Sequence, residues 1–303
     1  MSTTPLIPAT RSIPDAVVHE WCARVTRALV PEDGGRRWVR TATGEVSEER
    51  GLPGQVRRLR GWIYRDVHLS GGSETEDHGT DHAAVGLLTE LATGTWPSGG
   101  WRVRVEEGLE VEAVRRGVRL RLPSDRVRGA ADGTATLMLP RARPGALFGW
   151  FAYTGPRGPA DRPDARLYLH LSSLSERAVL ARVLTFLEEL DVPWQAKAAI
   201  RGPKRPRPDS FVVYLDAAAT EHAVAGLLEH RVPDVLDDTV PGFSLRVARG
   251  AALAVHPPGL RAGSFGAGVA DLFSRFLAEH GTDDLADRML DALNGVPEEV
   301  PAP

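Results

Sequence analysis

The chain has 303 residues, enough for one large domain or two modest ones, with hydrophobic and charged fractions of 42% and 25% that are ordinary for a globular protein. Its net charge of -3 gives no global reason to expect nucleic acid or an anionic membrane as a partner. The single cysteine, Cys22, forms no internal disulfide or thiolate metal site, no apolar run reaches the ~20 residues of a membrane span, and the first residues lack the pattern of a secretory signal. The expected setting is therefore cytoplasmic.

In chain order, the first element is a helix from Ile13 to Leu29, with Val17, Val18, Trp21, Val25 and Leu29 at helical spacing and Pro14 at its start. Residues 31–61 are rich in arginine and glycine with little periodicity. WIYRDVHL, from Trp62 to Leu69, reads as a short strand, followed by a polar loop and a helix from His82 to Ala92. That loop holds His78, Asp81 and His82, but its glycines argue for a solvated loop over a metal site, and no metal is expected. Trp101 to Val105 and Leu109 to Leu122 alternate apolar and charged residues, as an exposed antiparallel hairpin does. Its interleaved arginines and glutamates predict a cross-paired solvated face.

Strands are expected at Ala135–Leu139, Leu147–Tyr153 and Ala165–Ser172, then a helix from Ser175 to Asp191 with Ser175 as its N-cap. WQAKAAI and SFVVYLD read as strands on either side of a proline-rich basic turn, RGPKRPRP. Glu221–His230 and Ser264–His280 read as helices, with a strand or hairpin at FSLRVARGAALAV between them. Strands and helices do not alternate regularly enough for a doubly wound sheet, so the expected class is α+β, a mixed or antiparallel sheet packed with helices. The expected division is an N-terminal α+β region over 1–130, a second region over 131–290 and a tail over 291–303. GSFGAG, just before the last of these helices, reads as a helix cap, and Cys22 as a buried structural thiol.

One local feature stands apart. The chain holds only two lysines, Lys197 and Lys204, and both lie in the segment PWQAKAAIRGPKRPRPDSFVVYLD. On a strand, Gln195, Lys197 and Ala199 share one face, and the small alanines leave room for a ligand. A lysine among small residues and other cations can act as a general base, whereas arginine does not deprotonate in proteins. Arg201, Lys204, Arg205 and Arg207 follow on a turn stiffened by prolines, a composition suited to a phosphate. Asp209 can orient one of these arginines, and Tyr214 lies on the next strand. Arg166 and His170, four apart on RLYLH, place a guanidinium and an imidazole on one strand face.

The ordered series ARLYLHL, TFLEELDVPWQAKA, RPDSFVVYLDA, VPGFSLRVARGAALAVHPP and SFGAGVADLF resembles the HopA1-type family, named for a bacterial effector, over roughly residues 147–278. Members found in gene clusters for ribosomally made peptides, notably class V lanthipeptides and thioamitides, look like the lyase partner of a separate kinase. The resemblance implies a metal-independent lyase without a cofactor. Its substrate would be a precursor peptide phosphorylated on Ser or Thr by that kinase, and its product a dehydroalanine or dehydrobutyrine. By analogy with phosphothreonine lyases, Lys197 would take the Cα proton, with Lys204 the alternative base. Arg166, Lys204 and Arg207 would bind phosphate, Asp209 would support them, and His170 or Tyr214 would supply a proton. Residues 1–130 would then dock the peptide or the kinase. A non-catalytic phosphopeptide-binding or kinase-partner protein is the alternative.

Overall fold

The central strands of the second half are buried almost without a break, because helices cover both sides of one sheet. The computed structural model describes residues 12–47, 51–70, 79–105, 110–131, 133–201, 207–260 and 263–295. Helix α1 (Asp15–Ala28) leads into a three-stranded antiparallel sheet of β1 (Leu29–Glu32), β2 (Arg37–Arg40) and β3 (Glu45–Val46). Helix α2 (Leu52–Trp62) runs directly into a π-helical turn, Ile63–His68, and α3 (His82–Leu91) follows. A five-stranded antiparallel sheet comes next: β4 (Thr95–Val105), β5 (Glu110–Arg115), β6 (Val118–Pro123), β7 (Val127–Ala131) and β8 (Thr134–Pro140).

The second half builds a seven-stranded antiparallel sheet from β9 (Ala142–Leu147), β10 (Trp150–Thr154), β11 (Ala165–Leu169), β12 (Gln195–Ala199), β13 (Phe211–Leu215), β14 (Leu245–Ala248) and β15 (Ala251–Val255). Helices α4 (Arg177–Glu189), α5 (Thr220–Glu229), α6 (Phe265–His280) and α7 (Leu285–Asn294) complete it. The strand order is β14-β15-β11-β13-β12-β10-β9, so the fold is α+β with three antiparallel sheets among the described residues.

One face of the large sheet packs Leu167, Leu169, Phe211, Val213, Ala196 and Ala198 against α3, α4 and α5. Helix α4 meets it with Val179, Val183, Phe186 and Leu187, the spacing of one helical stripe. The opposite face, through Tyr168, Val212 and Ala254, shares a core with α1, α2, α6 and α7. The helices of the first 70 residues therefore close the far side of a sheet made by the second half. Two glycines fix close approaches here. Gly250 (φ +60°) ends the β14–β15 turn where a Cβ would lie 1.9 Å from the Asp237 carbonyl, and Gly266 in α6 lies against the His68 ring, where a Cβ would meet Nε2 at 2.2 Å.

The small sheet has its own cluster, Trp101, Val111, Ala113, Leu122 and Leu137. Its outer side carries the cross-strand row Arg104, Glu112 and Arg121, the alternating charge the sequence predicts.

Four expectations need correction. WIYRDVHL is not a strand: it is the end of α2 and the π-turn, because Leu59, Trp62, Ile63 and Val67 are buried at helical spacing, and the Leu69 N–H reaches back to the Tyr64 carbonyl at 2.9 Å. Residues 31–61 hold β1, β2, β3 and α2, with Trp38 and Leu59 buried. Leu147–Tyr153 is not one strand, since a turn with Gly149 at φ +76° separates β9 from β10. Ser175 does not cap α4: Glu176 holds the N-cap position and the Ser175 hydroxyl meets that of Ser173 at 2.9 Å. Asp81 caps α3, accepting from the Ala84 N–H at 2.9 Å. Burial pushes the Cys22 thiol up to about 11, as befits a packed residue. Among the described residues, no helix is long and apolar enough to cross a membrane.

Candidate functional site

The site grows from the alternation of β12. Ala196 and Ala198 point into the first core, so Lys197 must point the other way. In register, Lys197 stands between Ala152 of β10 and Val212 of β13. Those short neighbours let the ammonium group settle among rings. Its Nζ lies 4.1 Å from the centre of the Trp150 ring and 5.7 Å from that of Tyr214. Two aromatic faces hold the charge, and among the described residues no carboxylate pairs with it.

Arg166 reaches the same face from β11. Its cross-strand partner is Tyr214, and its guanidinium carbon lies 5.5 Å from the Tyr214 ring centre. The residue is 6% exposed, so its N–H groups need partners. Nη2 donates to the Gly263 carbonyl at 2.6 Å, at the entry to α6, and Nη1 donates to His256 Nδ1 at 3.2 Å. Because a guanidinium only donates, Nδ1 is the acceptor and the His256 proton sits on Nε2, which donates to the Leu260 carbonyl at 3.0 Å. GSFGAG thus serves Arg166 through a carbonyl, and Ser264 makes no side-chain cap.

Arg207 enters from the segment before β13. Asp209 grips it through two bonds, Nε to Oδ1 at 2.8 Å and Nη2 to Oδ2 at 3.0 Å, which leaves Nη1 outside the clamp. Its guanidinium carbon lies 5.5 Å from the Trp150 ring centre, so Trp150 faces both Arg207 and Lys197. Asp209 is buried, and the pairing satisfies a carboxylate that would otherwise be costly there.

The structure brings Lys197, Arg166, Arg207, Asp209 and Tyr214 together. His170 lies elsewhere in its contacts: one residue past β11, its Nδ1 is 2.6 Å from Thr239 Oγ1, and its Nε2 is 3.8 Å from Asp237 Oδ2. No described contact joins it to Lys197 or Arg166. Lys204 and Arg205 lie outside the described residues, as does His78. Among the described residues no group of three or more His, Cys, Asp or Glu side chains is arranged to hold a metal ion.

The sequence reading missed three contributors. Trp150 is not among the site residues the sequence singles out, although its alternation with Phe151 places it on the Lys197 face. Tyr64 and His68 come from the π-turn misread as a strand. The Tyr64 hydroxyl is 3.4 Å from Arg207 Nη2, and its ring lies 5.2 Å from that of His68. The sequence carried only a faint signal, four tyrosines in the whole chain; the structure gathers Tyr64, Tyr168 and Tyr214 around Asp209. Burial raises the Tyr168 phenol well above its ordinary range. Burial also lowers His68 to about 4, so its ring is neutral at physiological pH. Three cations and a buried phenol on one face of an acidic chain suit a dianionic oxyanion, and the amine adds a group able to carry a proton.

No curated protein matches the chain. The solved structure of an effector protein from Pseudomonas syringae pv. tomato strain DC3000 is similar at 13% identity over 86% of each chain, with a TM-score of 0.43. The model of the HopA1 effector protein family matches residues 140–296, just over half of the chain and the part that carries Trp150, Arg166, Lys197, Arg207 and Tyr214. The chain belongs to the HopA1 effector protein family.

Proposed function

We propose that this protein is a lyase that eliminates phosphate from phosphoserine or phosphothreonine in a peptide phosphorylated by a separate kinase, as in lanthipeptide-type maturation. The observation that carries this reading is the placement of Lys197 on a sheet face between Trp150 and Tyr214, with Arg166 and Arg207 on either side.

In this reading Lys197 acts as the base and takes the Cα proton. The electrons of the C–H bond form the Cα=Cβ double bond as the Cβ–O bond breaks, and the phosphate leaves toward Arg166 and Arg207. A proton from Tyr214 makes the leaving group hydrogen phosphate, and Lys197 returns a proton to the phenolate through solvent. Tyr214 is preferred to His170 as the acid because it touches both Arg166 and Lys197, while His170 is engaged by Thr239. Lys204 keeps its place as a further phosphate cation or alternative base. The chemistry calls for neither a metal nor a redox cofactor.

Mass spectrometry of a phosphothreonine peptide incubated with the purified chain tests the reading. Loss of phosphoric acid is the expected outcome. Peptide that stays phosphorylated and tightly bound would replace the lyase with a phosphopeptide-binding module, and peptide that is neither bound nor changed would remove both.

A further inference from the structure

The cations on the sheet leave one wall of the site to another part of the chain. Tyr64 supplies it. The π-turn is held from behind by Arg40 of β2, which donates to both oxygens of Asp66, each at 2.6 Å, with both side chains largely buried. In front, the Tyr64 ring lies beside His68, and its hydroxyl lies 3.4 Å from Arg207 Nη2. A π-turn carries one more residue per hydrogen-bonded ring than an α-turn and so re-aims a side chain, a device concentrated at functional sites. Here it aims a phenol at Arg207, beside the Nη2 that also donates to Asp209.

We propose that Tyr64 is a phosphate-contacting residue: its hydroxyl donates a hydrogen bond to the phosphoryl group held by Arg207. The site is then composite, since residue 64 lies outside the family-matched segment 140–296. This inference rests on the reading of the site as one for a phosphorylated peptide. The groups facing the phenol are Arg207, Asp209, Tyr168, Tyr214 and His68. Burial, then the Asp209 carboxylate, raises its pKa, with Arg207 opposing, so the hydroxyl keeps its proton for donation near neutral pH.

The test uses the full chain and a phosphothreonine peptide, with binding measured by calorimetry. Tyr64→Phe should weaken the phosphopeptide by about 10- to 100-fold, the cost of a hydrogen bond to a charged group, without lowering the unfolding temperature. Tyr153→Phe, the same change at a phenol that bonds Glu188 away from the site, should leave affinity unaltered. Incorporating 3,5-difluorotyrosine at position 64 makes the phenol more acidic and should move the alkaline loss of affinity to lower pH. A hydroxyl that merely props Arg207 would leave that limb in place. Wild-type affinity in Tyr64→Phe, or an unmoved alkaline limb, overturns the inference. If the wild-type chain binds the phosphopeptide without eliminating, the lyase reading fails while Tyr64 is still judged by affinity. If the wild type binds no phosphopeptide, both fall.

Discussion

The two faces of strands β10, β11, β12 and β13 differ more than any two separate parts of the molecule. Toward α3, α4 and α5 the strands present alanine, leucine, valine, phenylalanine and Tyr153, and every one of these residues is buried. Toward α1, α2 and α6 the same strands present Trp150, Lys197, Tyr214, Arg166 and Tyr168. The first face stabilises by excluding water, roughly in proportion to apolar area. The second must hold three cations near one another, and it does so with ring faces, one buried carboxylate and two carbonyls. A period of two thus separates an apolar face from a cationic one within a single residue step.

That separation can be broken from either side. Lys197→Arg keeps the charge and the ring contacts but removes the dissociable amine. It should lower elimination by about 10²- to 10⁴-fold, the usual worth of a positioned base, with little change in unfolding temperature. Phe211→Ala, one residue from Val212 but on the apolar face, should do the reverse: a loss of about 3–5 kcal/mol in denaturant unfolding, with the remaining folded protein retaining turnover.

His68 sharpens the comparison through pH. Its ring is held near 4 in the folded chain against an ordinary 6.5. As pH falls from about 6.5 toward 4, the unfolded chain gains a proton that the folded chain refuses. Stability should therefore drop by about 3 kcal/mol across that window and stay unaffected by this group above it. His68→Leu should flatten the slope of unfolding free energy against pH.

How far the sequence discloses these faces depends on which contacts are local. Strands β11 to β13 and helices α4 and α6 are legible because their apolar spacing is strong and their lengths are ordinary. So is the alternation of WQAKAAI, which alone places Lys197 opposite the core. The π-turn is not legible: Trp62, Ile63, Val67 and Leu69 suit a strand or a helix until the packing against α6 decides. The pairing of Trp150 with Lys197 depends on β10 lying beside β12, with 44 residues between Trp150 and Gln195, a topology that no local pattern encodes. His170 shows the opposite limit, where correct spacing from Arg166 fails because β11 ends at Leu169 and the next residue turns toward Thr239.

The smallest expected effect concerns Trp150. Trp150→Leu takes one aromatic face from Lys197 and from Arg207, an attraction worth about 0.5–2 kcal/mol for each cation. Elimination should slow by roughly 2- to 30-fold for each of the two cations, while the apolar face of the sheet stays intact.

In the proposed reaction the Lys197 face removes a Cα proton as phosphate leaves. A phosphothreonine peptide carrying deuterium at Cα of the phosphorylated residue tests it most directly. The wild-type chain should yield a dehydrated peptide without that deuterium, and Lys197→Arg should leave the label in place. A peptide that loses its phosphate while retaining the Cα deuterium would be a product of hydrolysis and would rule out the elimination.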